Sequence, residues 1–267
     1  MLERQTSPDG VVTYRSRLLA DIGVPHAFST RLGGGSPAPF DSLNLGNPNG
    51  CDIQDRPERI RDNYCRLLRA GGCDDRELVW LWQIHGSRTI RLDPATAHDN
   101  DTKADALVTR DSRRVLSVRV ADCVPVLVSA DDGRTVAAIH AGWRGVVAGV
   151  VVEALKQLED LSEVSSRRVT AAIGPSIGFD SFEVGPDVLD EFTRIFKRDA
   201  PIRRRPDGKG HVDLRESLRR QLIAAGVRAD RVDTTDRCTY RDADEFFSHR
   251  RENGVTGRMA AIIAAAE

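Results

Sequence analysis

Alternation and helical periodicity divide the chain into readable stretches. PERIRDNYCRLLRAGG spaces its apolar residues as a helix does, with Pro57 suited to the first turn and Gly71 as a stop. ELVWLWQIHG and TIRL read as strands. In VLSVRVADCVPVLVSADDGRTVAAIHAGWRG, β-branched runs flank an Asp-Asp-Gly turn, the pattern of a β-hairpin. GVVAGVVVEALKQLEDL predicts an amphipathic helix despite its valines. RVTAAIGPSIG is a strand leading into a turn, and PDVLDEFTRIFKRD and DLRESLRRQLIAAGV are helices, the second stopped at Gly226. GRMAAIIAAA fits a buried strand or a short helix, because so short an apolar run has no diagnostic period. Residues 31–52, RLGGGSPAPFDSLNLGNPNGCD, predict a long loop with several turns, and loops of that length are often functional. No repeat or low-complexity linker divides the chain. The irregular alternation, with at least one antiparallel pair, predicts an α+β fold over residues 1–267. We expect a single layered domain with mixed β-sheets and flanking helices.

The hairpin carries the first chemistry. If Asp132 and Gly133 are central in its turn, Cys123 lies opposite Gly142. Alternate residues share a face, so Gly142 and His140 point the same way. Cys123 and His140 become diagonal neighbours, about 7–8 Å apart at Cα and within side-chain reach. A lone cysteine is ordinarily a small buried hydrophobe, and a lone histidine is ordinarily a core or surface residue. Both at one hairpin's open end, beside the small Ala141 and Gly142, suit soft-metal ligation or a Cys–His nucleophile. His85 ends another apolar run, LWQIHGS, and is a third candidate. Two histidines and one cysteine would make a three-ligand zinc site with a position left open for water or substrate. His249, in FFSHRR, is a secondary site candidate. His26, His98 and His211 have poorer contexts, and Cys51, Cys65, Cys73 and Cys238 have no partner at metal-ligand spacing.

Composition narrows the classes. The net charge is −1, from 39 basic and 40 acidic residues, without the excess a nucleic-acid binder would show. The basic stretch RIFKRDAPIRRRPDGKGH also holds Pro, Gly and Asp and reads as a solvated loop. No run approaches the ~18 apolar residues of a membrane span, and MLERQTSPDG is no signal peptide. Five cysteines, an odd number with no CxxC pair, predict reduced thiols and a cytoplasmic protein.

Several stretches together resemble a known family. AFSTRLGGGS, PFDSLNLG, WQIHG, DALVT, ADCVPVL, AAIHAGWRG, AAIGPSIG with SFEVG, RCTY and FFSHRR with GVTGRMA are similar to the YfiH/PgeF family. Its members are also called laccase-domain proteins or polyphenol oxidases and are related to YlmD. The matches run in family order from about residue 26 to the C-terminus. The resemblance implies a CNF1/YfiH-like α+β domain with zinc held by His85, Cys123 and His140. It also implies purine nucleoside phosphorylase activity on adenosine, inosine and methylthioadenosine, with adenosine deamination. A peptidoglycan-editing role on a serine-containing muropeptide precursor is a further implied activity. The family commonly has an Asn-Arg pair in the helix after the long loop. Here Asn63 matches, Tyr64 replaces the arginine, and Arg66 is a nearby basic residue.

A zinc ion at that site would act as a Lewis acid or activate water. Phosphorolysis also needs phosphate held against a sugar. Arg31 in STRLGGG and Arg144 in HAGWRG are candidates, by bidentate guanidinium contact and glycine-rich backbone. Asn44 of SLNLG and His249 join them as candidate substrate contacts. The GGG run is not a P-loop, since no Gly-Lys-Ser/Thr follows. Multicopper chemistry would need many histidines in HxH pairs; the chain has six and no HxH, so copper would be adventitious. Two alternatives remain. One is a metal-free amide hydrolase using Cys123 with His140. The other is a non-enzymatic metal-binding protein whose fourth ligand would be a residue such as His249.

Overall fold

The computed structural model describes residues 1–94 and 97–267. In chain order it contains β1 (Glu3–Thr6), β2 (Val12–Arg15), α1 (Arg17–Ala20), β3 (His26–Ser29), α2 (Pro57–Gly71), β4 (Glu77–Val79) and β5 (Thr89–Leu92). There follow β6 (Ala106–Thr109), β7 (Arg114–Val120), β8 (Val124–Ala130), β9 (Val136–Ala141), α3 (Trp143–Val147), α4 (Val150–Ser162) and β10 (Val169–Ile173). The remainder adds β11 (Glu183–Val184), α5 (Pro186–Phe196), β12 (Ile202–Arg204), β13 (Gly210–Val212), α6 (Leu214–Ala224), β14 (Val232–Asp233) and β15 (Met259–Ala264).

These strands build two six-stranded sheets, ordered β1-β2-β3-β15-β7-β4 and β14-β10-β8-β9-β6-β5, and a small sheet β11-β13-β12. Both large sheets are mixed: β4 runs parallel to β7, and β5 parallel to β6, beside antiparallel neighbours. The period-2 alternation of β9 shows how they stack. Ala137, Ile139 and Ala141 face α4, α5 and α6, while Val136 and Ala138 meet Phe28, Leu116, Val118 and Ile263 of the first sheet. The other face of that first sheet is covered by α2, where Leu67 and Leu68 pack on Ala27, Ala260 and Ile262. The order of layers is therefore helix, sheet, sheet, helices, an α+β architecture as expected.

The ambiguous C-terminal run is β15, hydrogen-bonded to β3 on one side and β7 on the other. Both of its faces are buried, which is why it carries no period. Helix α2 has the predicted bounds, and Gly72, one residue past the expected stop, takes the left-handed cap at φ 71°. Three expectations are corrected. The helix predicted over GVVAGVVVEALKQLEDL is broken at Gly149, whose φ of 75° ends α3 before α4 begins. ELVWLWQIHG is a strand only to Val79, and Trp82 and Ile84 stand exposed. The basic stretch is no loop: it forms the β12–β13 hairpin, where Arg203, Arg204 and Arg205 pair with Asp180, Asp190 and Glu183.

Candidate functional site

The hairpin register is the predicted one. Val124 pairs with Ala141 and Pro125 with His140, so Cys123, one residue before β8, stands across from Gly142. Cys123 and His140 share the face turned toward the first sheet. One donor atom from each of His85, Cys123 and His140 lies within 4.8 Å of the others. The two imidazoles meet edge to face, 4.9 Å between centroids. Gly142 is required by this crowding. A Cβ there would sit 2.7 Å from His85 Cδ2 and 3.1 Å from Cys123 Sγ.

His85 arrives differently. It is not at a strand end but in an irregular turn, with φ of 59°. Two side chains that sequence reasoning did not single out hold that turn. Gln83 caps the free edge of β7 where β4 has ended: Arg119 N–H donates to its Oε1 and its Nε2 donates to Arg119 O, both at 2.8 Å. Asp105, completely buried, accepts from the backbone N–H groups of His85 (2.9 Å) and Gly86 (2.6 Å). The same carboxylate lies 2.9 Å from His140 Nδ1. That bond puts the His140 proton on Nδ1 and turns Nε2 toward Cys123, the arrangement in which an imidazole ligates a metal. One buried carboxylate thus orients both histidines. Its only trace in the sequence is an aspartate opening the buried run DALVT.

Electrostatics favour a thiolate at Cys123 and a proton on His140, which a bound metal would displace from Nε2. Burial opposes charge on Cys123, yet the charge of His140 and hydrogen bonds from His140 and His85 hold the thiol well below its usual range. Burial likewise opposes charge on His140, while Cys123 and Asp105 raise its basicity. Asp105 is held below the ordinary carboxylate range: burial works against this, but the His140 hydrogen bond and charge outweigh it. A thiolate and two oriented imidazoles are the donors zinc takes at sites with an open position. Among the described residues no other such cluster of His, Cys, Asp and Glu occurs.

The three donors open into a cavity of about 920 Å³. Tyr64 and Trp80 line one side, their rings stacked 6.3 Å apart. Arg144 and His249 also line it. Arg144 is exposed, with its guanidinium 4.3 Å above the Trp143 ring. Arg31 and Asn44 do not line this cavity. Arg31 is engaged by Asp41, Glu252 and the Ala243 carbonyl, and it stacks on Phe247. The adjacent glycines serve close packing: a Cβ on Gly33 would lie 2.4 Å from Val11 Cα, and one on Gly34 2.2 Å from Ser42 O. Gly34 N and Gly35 N already donate to Ser42 and Asn63, so no anion cradle is free there. Asn44, wholly buried, instead accepts from Gly46 N and Arg258 N. Near Tyr64 the cavity is lined by Arg61, one helical turn earlier, rather than by Arg66.

Residues 25–266 match the family described as multi-copper polyphenol oxidoreductase laccase. A relative from Escherichia coli K12 called purine nucleoside phosphorylase YfiH is 38% identical over 242 residues, covering 90% of this chain and 93% of that one. A purine nucleoside phosphorylase of Bacteroides thetaiotaomicron is 37% identical, covering 90% and 91%. Among solved structures, YlmD from Geobacillus stearothermophilus superposes with a TM-score of 0.86 at 29% identity, over 99% of each chain. The Bacillus licheniformis hypothetical protein YfiH does so with the same score at 26% identity, over 98% of each. In sequence and fold, this chain belongs to the YfiH/PgeF family of laccase-domain proteins.

Proposed function

We propose that this protein is a zinc-dependent purine nucleoside phosphorylase working at the His85, Cys123 and His140 centre. The observation that carries the reading is the convergence of these three donors, oriented by Asp105, at the wall of a 920 Å³ cavity. That volume suits a nucleoside with phosphate. Bound zinc would supply Lewis acidity at the metal-facing end of the cavity. The chain's own residues do the rest. The stacked Tyr64 and Trp80 offer an aromatic wall to a purine, and Asp105 keeps His140 in the ligating tautomer. In phosphorolysis a phosphate oxygen bonds to the anomeric carbon as the bond from that carbon to the purine nitrogen breaks. The electron pair leaves with the base, which takes up a proton. Deamination of adenosine at the same centre is the accompanying activity we propose. Among the described residues no helix is long and apolar enough to cross a membrane, and we place the protein in the cytoplasm, acting on small molecules.

A second reading keeps specific support. Cys123, His140 and Asp105 are linked in the order of a nucleophile, base and orienting carboxylate. A cysteine amide hydrolase acting on a peptidoglycan precursor would use that chain. His85, a third donor with no place in such a triad, favours the metal reading. The test is product analysis with adenosine, inosine and methylthioadenosine, with and without phosphate, and with the serine-containing precursor, alongside metal content. Phosphate-dependent base release with equimolar zinc supports the first reading. Metal-free protein whose Cys123 alkylates rapidly and which cleaves only the precursor overturns it.

A further inference from the structure

Five arginines, Arg61, Arg119, Arg144, Arg250 and Arg258, line the cavity, and two of them, Arg119 and Arg258, form a pair. Arg119 lies near the end of β7 and Arg258 directly precedes β15. In the β7–β15 ladder Arg119 is opposite Ala260 and Val120 opposite Met259. Arg258, two residues before Ala260, therefore shares a face with Arg119 as its diagonal neighbour. Both are half-buried and both line the cavity.

Neither has a carboxylate within ion-pair distance among the described residues. Arg258 spends Nη1 on the carbonyls of Thr256 and Gly257, both at 3.0 Å, and Arg119 reaches the Leu81 carbonyl at 3.4 Å through Nη2. Nε and Nη2 of Arg258, and Nε and Nη1 of Arg119, have no protein acceptor among the described residues. Elsewhere the chain pairs half-exposed arginines with acids, as in the β12–β13 hairpin. Two adjacent cations partly withdrawn from water cost free energy unless an anion joins them. Burial and then the charge of Arg119 lower the basicity of Arg258, while Cys123 and Asp122 raise it, so the pair lies within electrostatic reach of the metal centre.

The scaffold holds the pair in place. Gln83 grips the Arg119 backbone through two hydrogen bonds, and Asn44 accepts the Arg258 N–H at 2.9 Å. A side chain at Gly46 would meet Arg119 Cδ at 2.9 Å, so the SLNLG loop leaves room for that guanidinium. We propose that Arg119 and Arg258 form a phosphate-binding subsite beside the His85, Cys123 and His140 centre. It takes inorganic phosphate as co-substrate or a phosphate group carried by the substrate. The inference rests on the phosphorylase reading for its role in turnover, and not for the binding itself. Planar guanidinium forks are the side chains best suited to a phosphate's oxygens.

The test is calorimetric titration of the protein as purified, in buffer free of phosphate and sulfate. Inorganic phosphate and a nucleoside diphosphate are titrated separately. Arg119→Gln and Arg258→Gln are each expected to weaken phosphate binding about tenfold to a hundredfold. Arg198→Gln, on the exposed surface, should leave it unchanged. Should a glutamine variant fail to fold, Arg119→Lys and Arg258→Lys take its place, with an intermediate affinity expected. Nucleoside diphosphate binding much tighter than phosphate through the same arginines assigns the group to the substrate; the reverse assigns it to the co-substrate. Unchanged affinity in both variants, or no binding at tens of millimolar phosphate, overturns the subsite. Arginine-dependent binding without nucleoside turnover keeps the subsite and sinks the phosphorylase. Turnover with an unaltered phosphate KM in both variants does the opposite.

Discussion

His140 and His85 bring the same imidazole to one centre by different means. His140 is a strand residue, 3% exposed, placed by a ladder of backbone hydrogen bonds whose register follows from the turn. His85 is exposed, lies off any strand in a left-handed turn, and is placed by the side chains of Asp105 and Gln83. A ladder is local and stiff. A turn held by two side chains depends on residues far along the chain. The pair teaches that a candidate metal site can draw one donor from secondary structure and another from tertiary hydrogen bonds, with one carboxylate coupling them.

Four experiments break or sharpen this contrast. The largest effect belongs to His140→Ala, which removes a buried donor and leaves Asp105 with an unmet charge. Zinc content by metal analysis should fall to background, with base release lost, and His85→Ala should retain more metal than His140→Ala. Equal retention would show that the two ligands are not mechanically distinct. Asp105→Asn strikes both histidines together. Loss of metal affinity of about 10- to 100-fold is expected, the range for orienting partners of metal ligands; a chelator competition titration reads it, and an unchanged affinity would remove the coupling role. Gly142→Ala presses on His85 rather than on the strand. Its new methyl meets the His85 ring and, less closely, Cys123 Sγ, so affinity should drop about tenfold with circular dichroism unchanged. A greater loss of fold than of metal would place the strain in β9 instead.

The mildest change is one of pH, and it concerns a histidine away from the centre that supports the fold. His26 is fully buried, with Ser16 N donating to Nε2 and Nδ1 facing Val24 O at 2.8 Å, a pattern satisfied by neutral imidazole. Burial lowers its pKa to about 4. The unfolded chain takes up that proton near pH 6.5 while the folded chain does not. The His26 contribution to stability is therefore complete above about pH 6.5 and is lost as pH falls toward 4. Urea midpoints across that window should fall less steeply in His26→Gln than in wild type. Parallel slopes would mean that His26 is not the group titrating.

Much of the centre was legible in the sequence. An Asp-Asp-Gly turn between β-branched runs settles the register, and the register puts Cys123 beside His140, because strand alternation is a short-range rule. The helix over Pro57–Gly71 was equally readable, since its proline, period and glycines agree. Arg31 beside three glycines looked like an anion contact, yet those glycines answer to backbone packing against Val11 and Ser42. Arg119 and Arg258 carried no signal, being two arginines 139 positions apart whose juxtaposition exists only in the β7–β15 ladder.

What the sequence determined by itself was local: the hairpin turn and its register, the bounds of α2, and the candidacy of His85, Cys123 and His140 as donors. The tertiary structure decided where His85 points, which carboxylate orients both imidazoles, and which arginines remain unpaired in the cavity. The physical reason is that local patterns report hydrogen bonding within a few residues. Asp105 with His140, Gln83 with Arg119, and Arg119 with Arg258 meet only once strands and loops distant in the sequence have come together within a sheet.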